Sequence, residues 1–489
     1  MSKKVIIIGV DGLDASLLEK WADLLPNITN LKRKGWAPKV SSIFPPDSVP
    51  AWITIYTGLN PAEHGVITFI NPDSRELIFT EVDNNFIKGK TFWDYASKAG
   101  KKVCLVFPYA IYPAYEINGR MACRPIKIVR SKRILDCYPK EKINDFQKEE
   151  HNIKLYHGVP SRSQLKQFIN ACNKRMNSEA KIGLELMVQE DWDLFLIYFS
   201  VIDAIQHTFW HYCNPDHPHY PGVNPYQNII QEYYILLDNI IGEFLELAPP
   251  HTIVLIISDH GHGARPVKLV HINELLRQEG LLEVKRKRNT MIHNFWEREN
   301  LKKIAFKAIE KIGIGEASMA LLQKFPLWKR VFASPSIINW EKTVAYVSDL
   351  SAVKSYSYGG IILNRRKLGF GEYEEMREKL INKLENLKEP NTNEPLVKWV
   401  CRREDLYRGP FLGRYPDILL ELKDGYGIGW SVGGDLITDV DINIQSGSHK
   451  RDSAVFIMSG YIPKEITSNM ILLDDIFYII LKLLDLNYK

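Results

Sequence analysis

Cysteine is scarce in this chain: six residues among 489 (Cys104, Cys123, Cys137, Cys172, Cys213 and Cys401), none at CxxC spacing. Such a scattered set excludes a disulfide-stapled scaffold, a zinc knuckle and a thioredoxin-like redox motif. Long apolar runs are missing too. No stretch approaches the roughly 20 residues a membrane span needs. The opening MSKKVIIIGVDG carries an apolar run of only about six residues, far short of a signal h-region. These absences set the expectation of a soluble cytoplasmic protein. A strong charge of one sign is also lacking. The net charge of +5 suits an anionic substrate and does not suggest a surface built to coat nucleic acid. There are no internal repeats and no low-complexity tracts. What remains is an ordinary globular composition, 45% hydrophobic and 11% aromatic, long enough for two or three domains or for one large core with insertions.

The most informative stretch is Thr252 to Gly261, TIVLIISDHG. A continuous run of β-branched and aliphatic residues, too short for an ordinary helix, reads as a strand buried on both faces of a parallel sheet. In open α/β sheets ligands sit beyond the carboxyl ends of the strands. Asp259 and His260 therefore stand where chemistry is expected. An adjacent carboxylate and imidazole suit a divalent cation, or they merely cap the element that follows. Val5 to Val10 repeats the pattern, ending in Asp11-Gly12 before a helical stretch from Ala15 through Leu25. GVDG is not a dinucleotide-binding fingerprint, because GxGxxG is absent and an acid occupies the turn. That acid would repel phosphate unless a cation intervened.

In SSIFPPDSVPAWITIYTGLNPAEHG (Ser41 to Gly65), prolines 45, 46 and 50 argue against regular structure before Ala51. A helix from Ala51 to Thr57, stopped by Gly58, would leave Ser48 near free backbone N–H groups that favour an anion. Asp47 or Ser48 could equally be just an N-cap. Lys101 to Phe107 reads as a strand, and about Arg120 to Pro160 as a polar, irregular excursion. Ser161 to Gln189 has helical periodicity. Trp192 to Ser200 (WDLFLIYFS) is a buried strand, after which Asp203 and His207 stand at i, i+4, a spacing that can hold a metal. His211, His217 and His219 read as surface residues of a Pro-rich loop. Asn224 to Leu247 is an amphipathic helix. Beyond His262 the chain turns basic: Val284 to Arg288 contains KRKR, and Arg298 to Arg330 is basic and amphipathic. That stretch suits either a membrane-surface helix or the solvated face of an inserted cap. Strands are expected within Trp340 to Leu363, at Pro416 to Leu422 and at Ala454 to Ser459, and helices at Glu372 to Leu387 and Ile471 to Leu486.

Asp11, Ser48, Asp203, His207, Asp259, His260 and His449 thus collect at strand ends and turns. Four oxygen donors and three imidazoles suffice for two cations with positions left for substrate. Paired metals about 3.5–4 Å apart clamp the attacking and leaving oxygens of a displacement at phosphorus. A serine bound to one of them becomes a nucleophile at neutral pH.

In order along the chain, GVDG, PPDSVPAW…TGLNPAEHG, D-x-x-x-H, SDHG and a late G-x-H (Gly447 to His449) resemble the alkaline phosphatase superfamily. The resemblance is closest to its type I phosphodiesterase/nucleotide pyrophosphatase branch. WEKTVAY, Asn364-Arg365 and YPDILLEL are similar to an intracellular prokaryotic group of predicted phosphohydrolases or phosphomutases within that branch. The resemblance implies an α/β fold: a doubly wound, mostly parallel sheet with helices on both faces and an inserted cap. Residues 1–270 would form the first part of the core with an excursion at about 110–160, residues 271–340 a basic helical cap, and residues 341–489 the rest of the core. It also implies one metal held by Asp11, Ser48, Asp259 and His260, and another held by Asp203, His207 and His449. Ser48 would attack phosphorus. The expected cofactors are two divalent ions, zinc by donor type, with manganese tolerated by the same donors. The expected partner is a small anionic phosphoester.

Three departures matter. The branch usually has threonine where Ser48 stands. It places an asparagine about twenty residues later to hold a phosphoryl oxygen, a position for which Asn71 is a shifted candidate. Ser48-Val49-Pro50-Ala51-Trp52 lacks the arginine of a sulfatase motif. Lys450 and Arg451 could contact a phosphate oxygen or be ordinary loop charges. The leading function is phosphodiester or pyrophosphate hydrolysis. The alternatives are a phosphomonoesterase or sugar-phosphate mutase and, from another class, a non-catalytic polyanion binder that keeps the fold for its basic cap.

Overall fold

A computed structural model of the chain describes residues 3–67, 87–125, 135–143, 146, 160–285, 338–348, 350, 356–440, 445–460 and 468–486. Its centre is a seven-stranded sheet in the order Phe456–Met458, Ile253–Ile257, Val5–Val10, Leu194–Phe199, Val103–Val106, Gly119–Cys123, Asp136–Tyr138. The five inner strands run parallel, and the two edge strands are antiparallel to their neighbours. Every residue of Val5–Val10, Leu194–Phe199 and Ile253–Ile257 is buried, as expected for apolar runs covered on both faces.

Alternation along these strands separates two cores. Ile6, Ile8, Phe195, Ile197, Val254 and Ile256 pack with the helices Pro26–Lys34, Leu165–Gln189 and Ile229–Leu247. Val5, Ile7, Leu194, Leu196, Ile253 and Leu255 pack with Ser48–Thr57, Phe92–Lys98 and Asp475–Leu483. Helices therefore cover both faces of a mostly parallel sheet, the expected α/β architecture.

A separate antiparallel sheet, ordered Ala345–Ser348, Tyr358–Leu363, Ile418–Leu422, Val397–Arg402, has its own core with the helix Ile272–Gln278. The chain then returns to the central sheet at Phe456–Met458. Of the expected cap at 271–340, residues 286–337 lie outside the described residues. Among the described residues no helix is long and apolar enough to cross a membrane.

Two local expectations are corrected. The helix expected from Ala51 begins at Ser48. Pro50 is its third residue, where the backbone N–H would have no intrahelical acceptor and its loss costs nothing. Within the expected excursion, Gly119–Cys123 is a buried strand that pairs in parallel with Val103–Val106. Its Met121, Ala122 and Cys123 are fully buried, but the run is too short to stand out among polar neighbours.

Candidate active site

Three adjacent parallel strands deliver the acids. Asp11 follows Val5–Val10, Asp259 and His260 follow Ile253–Ile257, and Asp203 lies in the first turn of the helix Val201–Cys213 that follows Leu194–Phe199. Gly12 draws two of these turns together. At φ +66° it takes a left-handed conformation, and a Cβ there would stand 3.1 Å from Asp203 Oδ1. Its N–H donates to Asp259 Oδ1 at 3.1 Å.

Ser48 is the first residue of its helix. Asp47 occupies the N-cap position, but its side chain does not cap the helix. The helix is seated where a side chain is missing, because a Cβ on Gly9 would lie 2.9 Å from the Trp52 ring. From the far side, the buried His64 faces Thr54 Oγ1 with its Nε2 at 3.1 Å. The helix thereby sets Ser48 Oγ 3.2 Å from His260 Nε2 and 3.3 Å from Asp11 Oδ1. His260 Nε2 is also 3.3 Å from Asp259 Oδ2. Asp11, Asp259 and His260 form one buried donor group with Ser48 against it.

The second group contains Asp203, His207, His449 and His262. His207 Nε2 stands 3.3 Å from Asp203 Oδ1, and His449 Nε2 is 3.6 Å from the same oxygen. His449 arrives on the strand Gly447–Lys450, paired antiparallel with Gly261–Ala264 so that it faces His262. The two groups share a wall: the His260 and His449 rings stack with centroids 3.8 Å apart.

The donor chemistry of both groups fits cations. His207 Nδ1 faces the Gly447 carbonyl at 3.0 Å, His449 Nδ1 the Pro46 carbonyl at 2.6 Å, and His260 Nδ1 the Gly261 carbonyl at 3.0 Å. A carbonyl only accepts, so each Nδ1 carries the proton and each neutral ring turns a lone pair inward at Nε2. The Nε2 atoms of His207 and His449 are then 2.9 Å apart, lone pair toward lone pair. A shared Lewis acid would turn that repulsion into binding.

The carboxylates agree. Burial, with Asp259 and Asp203 nearby, holds the Asp11 carboxyl well above its usual range, although Tyr198 donates a hydrogen bond to it. Burial, opposed by the Gly12 N–H and reinforced by Asp203, pushes Asp259 up to about 8. For Asp203 burial also acts upward, but positive charge on the His207, His262 and His449 imidazoles, the charge a cation would supply in their neutral state, holds it well below the usual range. Buried like charges without a counter-charge are costly. Asp203 Oδ1 and Asp259 Oδ2 are both buried with no hydrogen-bond partner.

All seven residues singled out as metal ligands or nucleophile thus converge in two adjacent groups. Of the weaker candidates, Asn71 lies outside the described residues. Lys450 Nζ pairs with Asp424 at 3.0 Å. The Arg451 guanidinium donates to the Ser42 carbonyl at 3.0 Å and lies over the Trp399 ring. His217, expected on the surface, is buried. Its loop closes tightly enough that its Nδ1 accepts the His219 backbone N–H at 3.1 Å. His262 was not anticipated.

The strand order and the two-sided helical cover define an α/β protein with its acids gathered at the strand ends. The family model "Type I phosphodiesterase / nucleotide pyrophosphatase" matches residues 5–320, and the chain belongs to that family. Ectonucleotide pyrophosphatase/phosphodiesterase family member 3 of Rattus norvegicus is 42% identical over 64 residues, 13% of this chain and 7% of the relative. The Bos taurus counterpart is 34% identical over 110 residues, 21% of this chain and 13% of the relative. The matched stretches thus span only a small part of these longer relatives. Among solved structures, phosphonoacetate hydrolase from Sinorhizobium meliloti 1021 in complex with phosphonoformate aligns with a TM-score of 0.56 at 16% identity, covering 99% of this chain and 96% of that one. An inactive form of murine ectonucleotide pyrophosphatase/phosphodiesterase 5, in complex with AMP, aligns with a TM-score of 0.50 at 13% identity and the same coverage. These likenesses are of fold.

Proposed function

We propose that the chain hydrolyses phosphodiester or pyrophosphate bonds, with Ser48 as nucleophile at a site for two divalent cations. One observation carries the reading. Ser48 Oγ lies within 3.3 Å of both Asp11 and His260, at a helix N-terminus and beside two donor groups of the kind that bind cations. Asp11, Ser48, Asp259 and His260 would hold one ion, and Asp203, His207 and His449 the other. When bound, the ions would neutralise phosphoryl oxygens and ease loss of the serine proton. Zinc is the proposed occupant on donor type, with manganese compatible.

The protein's own part follows from the geometry. The unpaired N–H groups in the first helical turn favour negative charge at Ser48 Oγ and at a phosphoryl oxygen beside it. The Gly447, Pro46 and Gly261 carbonyls fix the imidazole tautomers, and Tyr198 and the Gly12 N–H fix the carboxylates. Ser48 Oγ forms a bond to phosphorus as the bond to the leaving oxygen breaks. Water then cleaves the phosphoserine ester and returns the serine hydroxyl.

The printed names of the relatives, and the AMP and phosphonate ligands of the structural neighbours, guide the choice of probes. Metal-loaded protein should hydrolyse bis-p-nitrophenyl phosphate and a p-nitrophenyl nucleotide ester faster than p-nitrophenyl phosphate. Preference for the monoester would replace this reading with a phosphatase or mutase. Ser48→Ala should abolish turnover while both ions remain bound, and full activity in that variant would assign the nucleophile elsewhere.

A further inference from the structure

Resting on the two-cation reading, we propose that His262 is a fourth protein ligand at the second site, making it an N3O site of Asp203, His207, His449 and His262.

Four independent observations converge on this ring. Its side chain is fully buried, yet its ring nitrogens make no well-formed hydrogen bond, the nearest acceptor for Nε2 being Asp203 Oδ1 at 3.5 Å. A buried imidazole carries at least one donor and ordinarily one acceptor, and leaving both unmatched is costly. The fold nevertheless holds the ring in place by other means. The His262 backbone N–H donates to Asp14 Oδ2 at 3.0 Å, the Trp210 ring stacks on it at a centroid distance of 5.5 Å, and His207 packs edge-on at 4.5 Å. Space for it is made by Gly447, where a Cβ would stand 2.4 Å from His262 Cε1. The ring thus presents Nε2 to the second group, 3.5 Å from Asp203 Oδ1, itself an oxygen without a hydrogen-bond partner. One donor atom from each of Asp203, His207, His262 and His449 lies within 4.8 Å of the others.

The consequence is a functional asymmetry. The site at Ser48 offers three oxygens and one nitrogen. With His262, the second offers three imidazoles and one carboxylate, enough to complete a tetrahedral ion from protein atoms alone. Imidazole-rich sites favour zinc and its neighbours in the first transition row, whereas oxygen-rich ones tolerate manganese. An ion held by three imidazoles would be the more tightly retained of the two, and the one beside Ser48 the more readily exchanged.

The test uses the full-length protein loaded with zinc and, separately, with cobalt(II). Zinc titration against a competing chelator should count two ions per wild-type chain. In His262→Phe, which keeps a flat ring for Trp210, the affinity of one ion should fall by more than the roughly 10–100-fold cost of losing an outer-shell partner, while the other is unchanged. Cobalt-loaded wild type should show four hyperfine-shifted imidazole N–H resonances by proton NMR, from His207, His260, His262 and His449, and His262→Phe three. This count needs no turnover and is decided on the wild type, so a variant that folds poorly does not spoil it. Three resonances in wild type, with two ions still bound, would overturn the ligand assignment and leave the two-cation reading standing. Failure of the wild type to bind two ions would overturn both.

Discussion

His64 ties the Ser48 helix to pH. It is 1% exposed. Its Nδ1 accepts the Val66 backbone N–H at 3.1 Å, so the neutral ring carries its proton on Nε2 and directs it toward Thr54 Oγ1. Burial, which outweighs its bonds to backbone, lowers its pKa from 6.5 to about 3. The sign follows from proton counting. Between pH 6.5 and about 3 the unfolded chain binds a proton at His64 that the folded chain refuses, so acidification favours unfolding. The contribution is lost at about 1.4 kcal/mol per pH unit, or about 3 kcal/mol between pH 6.5 and 4.5. His64→Gln removes this titration. It also leaves the Val66 N–H without its acceptor, at a cost of about 1–3 kcal/mol independent of pH. The wild type should therefore lead the variant at pH 7, and the lead should shrink to near zero or reverse by pH 4.5. Urea unfolding of both proteins in chelator, at the two pH values, measures the gap. Chelation matters because acid would release any bound metal. Asp11 and Asp259, whose raised carboxyl pKa values pull the other way, are common to both chains and cancel. A gap of equal size at pH 7 and pH 4.5 would refute the reasoning.

Other outcomes follow from the same geometry. Tyr198→Phe removes the hydroxyl that donates to Asp11; affinity for the ion beside Ser48 should weaken about 10–100-fold, read by chelator competition, with the fold intact. Gly447→Ala would set a methyl 2.4 Å from His262 Cε1, 2.5 Å from the Gln206 carbonyl oxygen and 2.8 Å from His207 Cα. It should cost about 1–3 kcal/mol of stability and lower metal content by one ion per chain, measured by elemental analysis. Removing both ions with chelator should lower the melting temperature. Each ion held at 100 times its dissociation constant contributes about 2.7 kcal/mol, so an unchanged calorimetric trace would argue against both sites.

How much of this was legible in the sequence depended on how far each signal reached along the chain. VIIIGV, LFLIYF and IVLII announce themselves as strands buried on both faces, because no polar residue interrupts them. The acids just beyond them inherit a position in space from the sheet rule alone. That suffices to bring Asp11, Asp203 and Asp259 together without knowing any helix. Gly119–Cys123 fails the same test because its buried run is short. The start of the Ser48 helix was obscured by Pro50, a breaker everywhere except the first turn, where it in fact lies.

His262 was missed for a different reason, although a signal existed. His260-Gly261-His262 repeats imidazole at the two-residue period that puts both side chains on one face of an extended segment. The long-range half of the pattern cannot be read locally. His262 gains its meaning from the antiparallel pairing of Gly261–Ala264 with Gly447–Lys450, which sets it opposite His449 across nearly 190 positions of chain. Gly447 makes the same point from the other strand. In sequence it is one glycine in a turn-like SGSHK. In space its missing side chain is where the His262 ring lies, and its carbonyl orients His207. A glycine chosen for the room it leaves and a histidine chosen to fill that room form one device in two distant pieces. Gly447→Ala and His262→Phe should therefore weaken the same ion, and combining them should cost less than the sum of the two single losses.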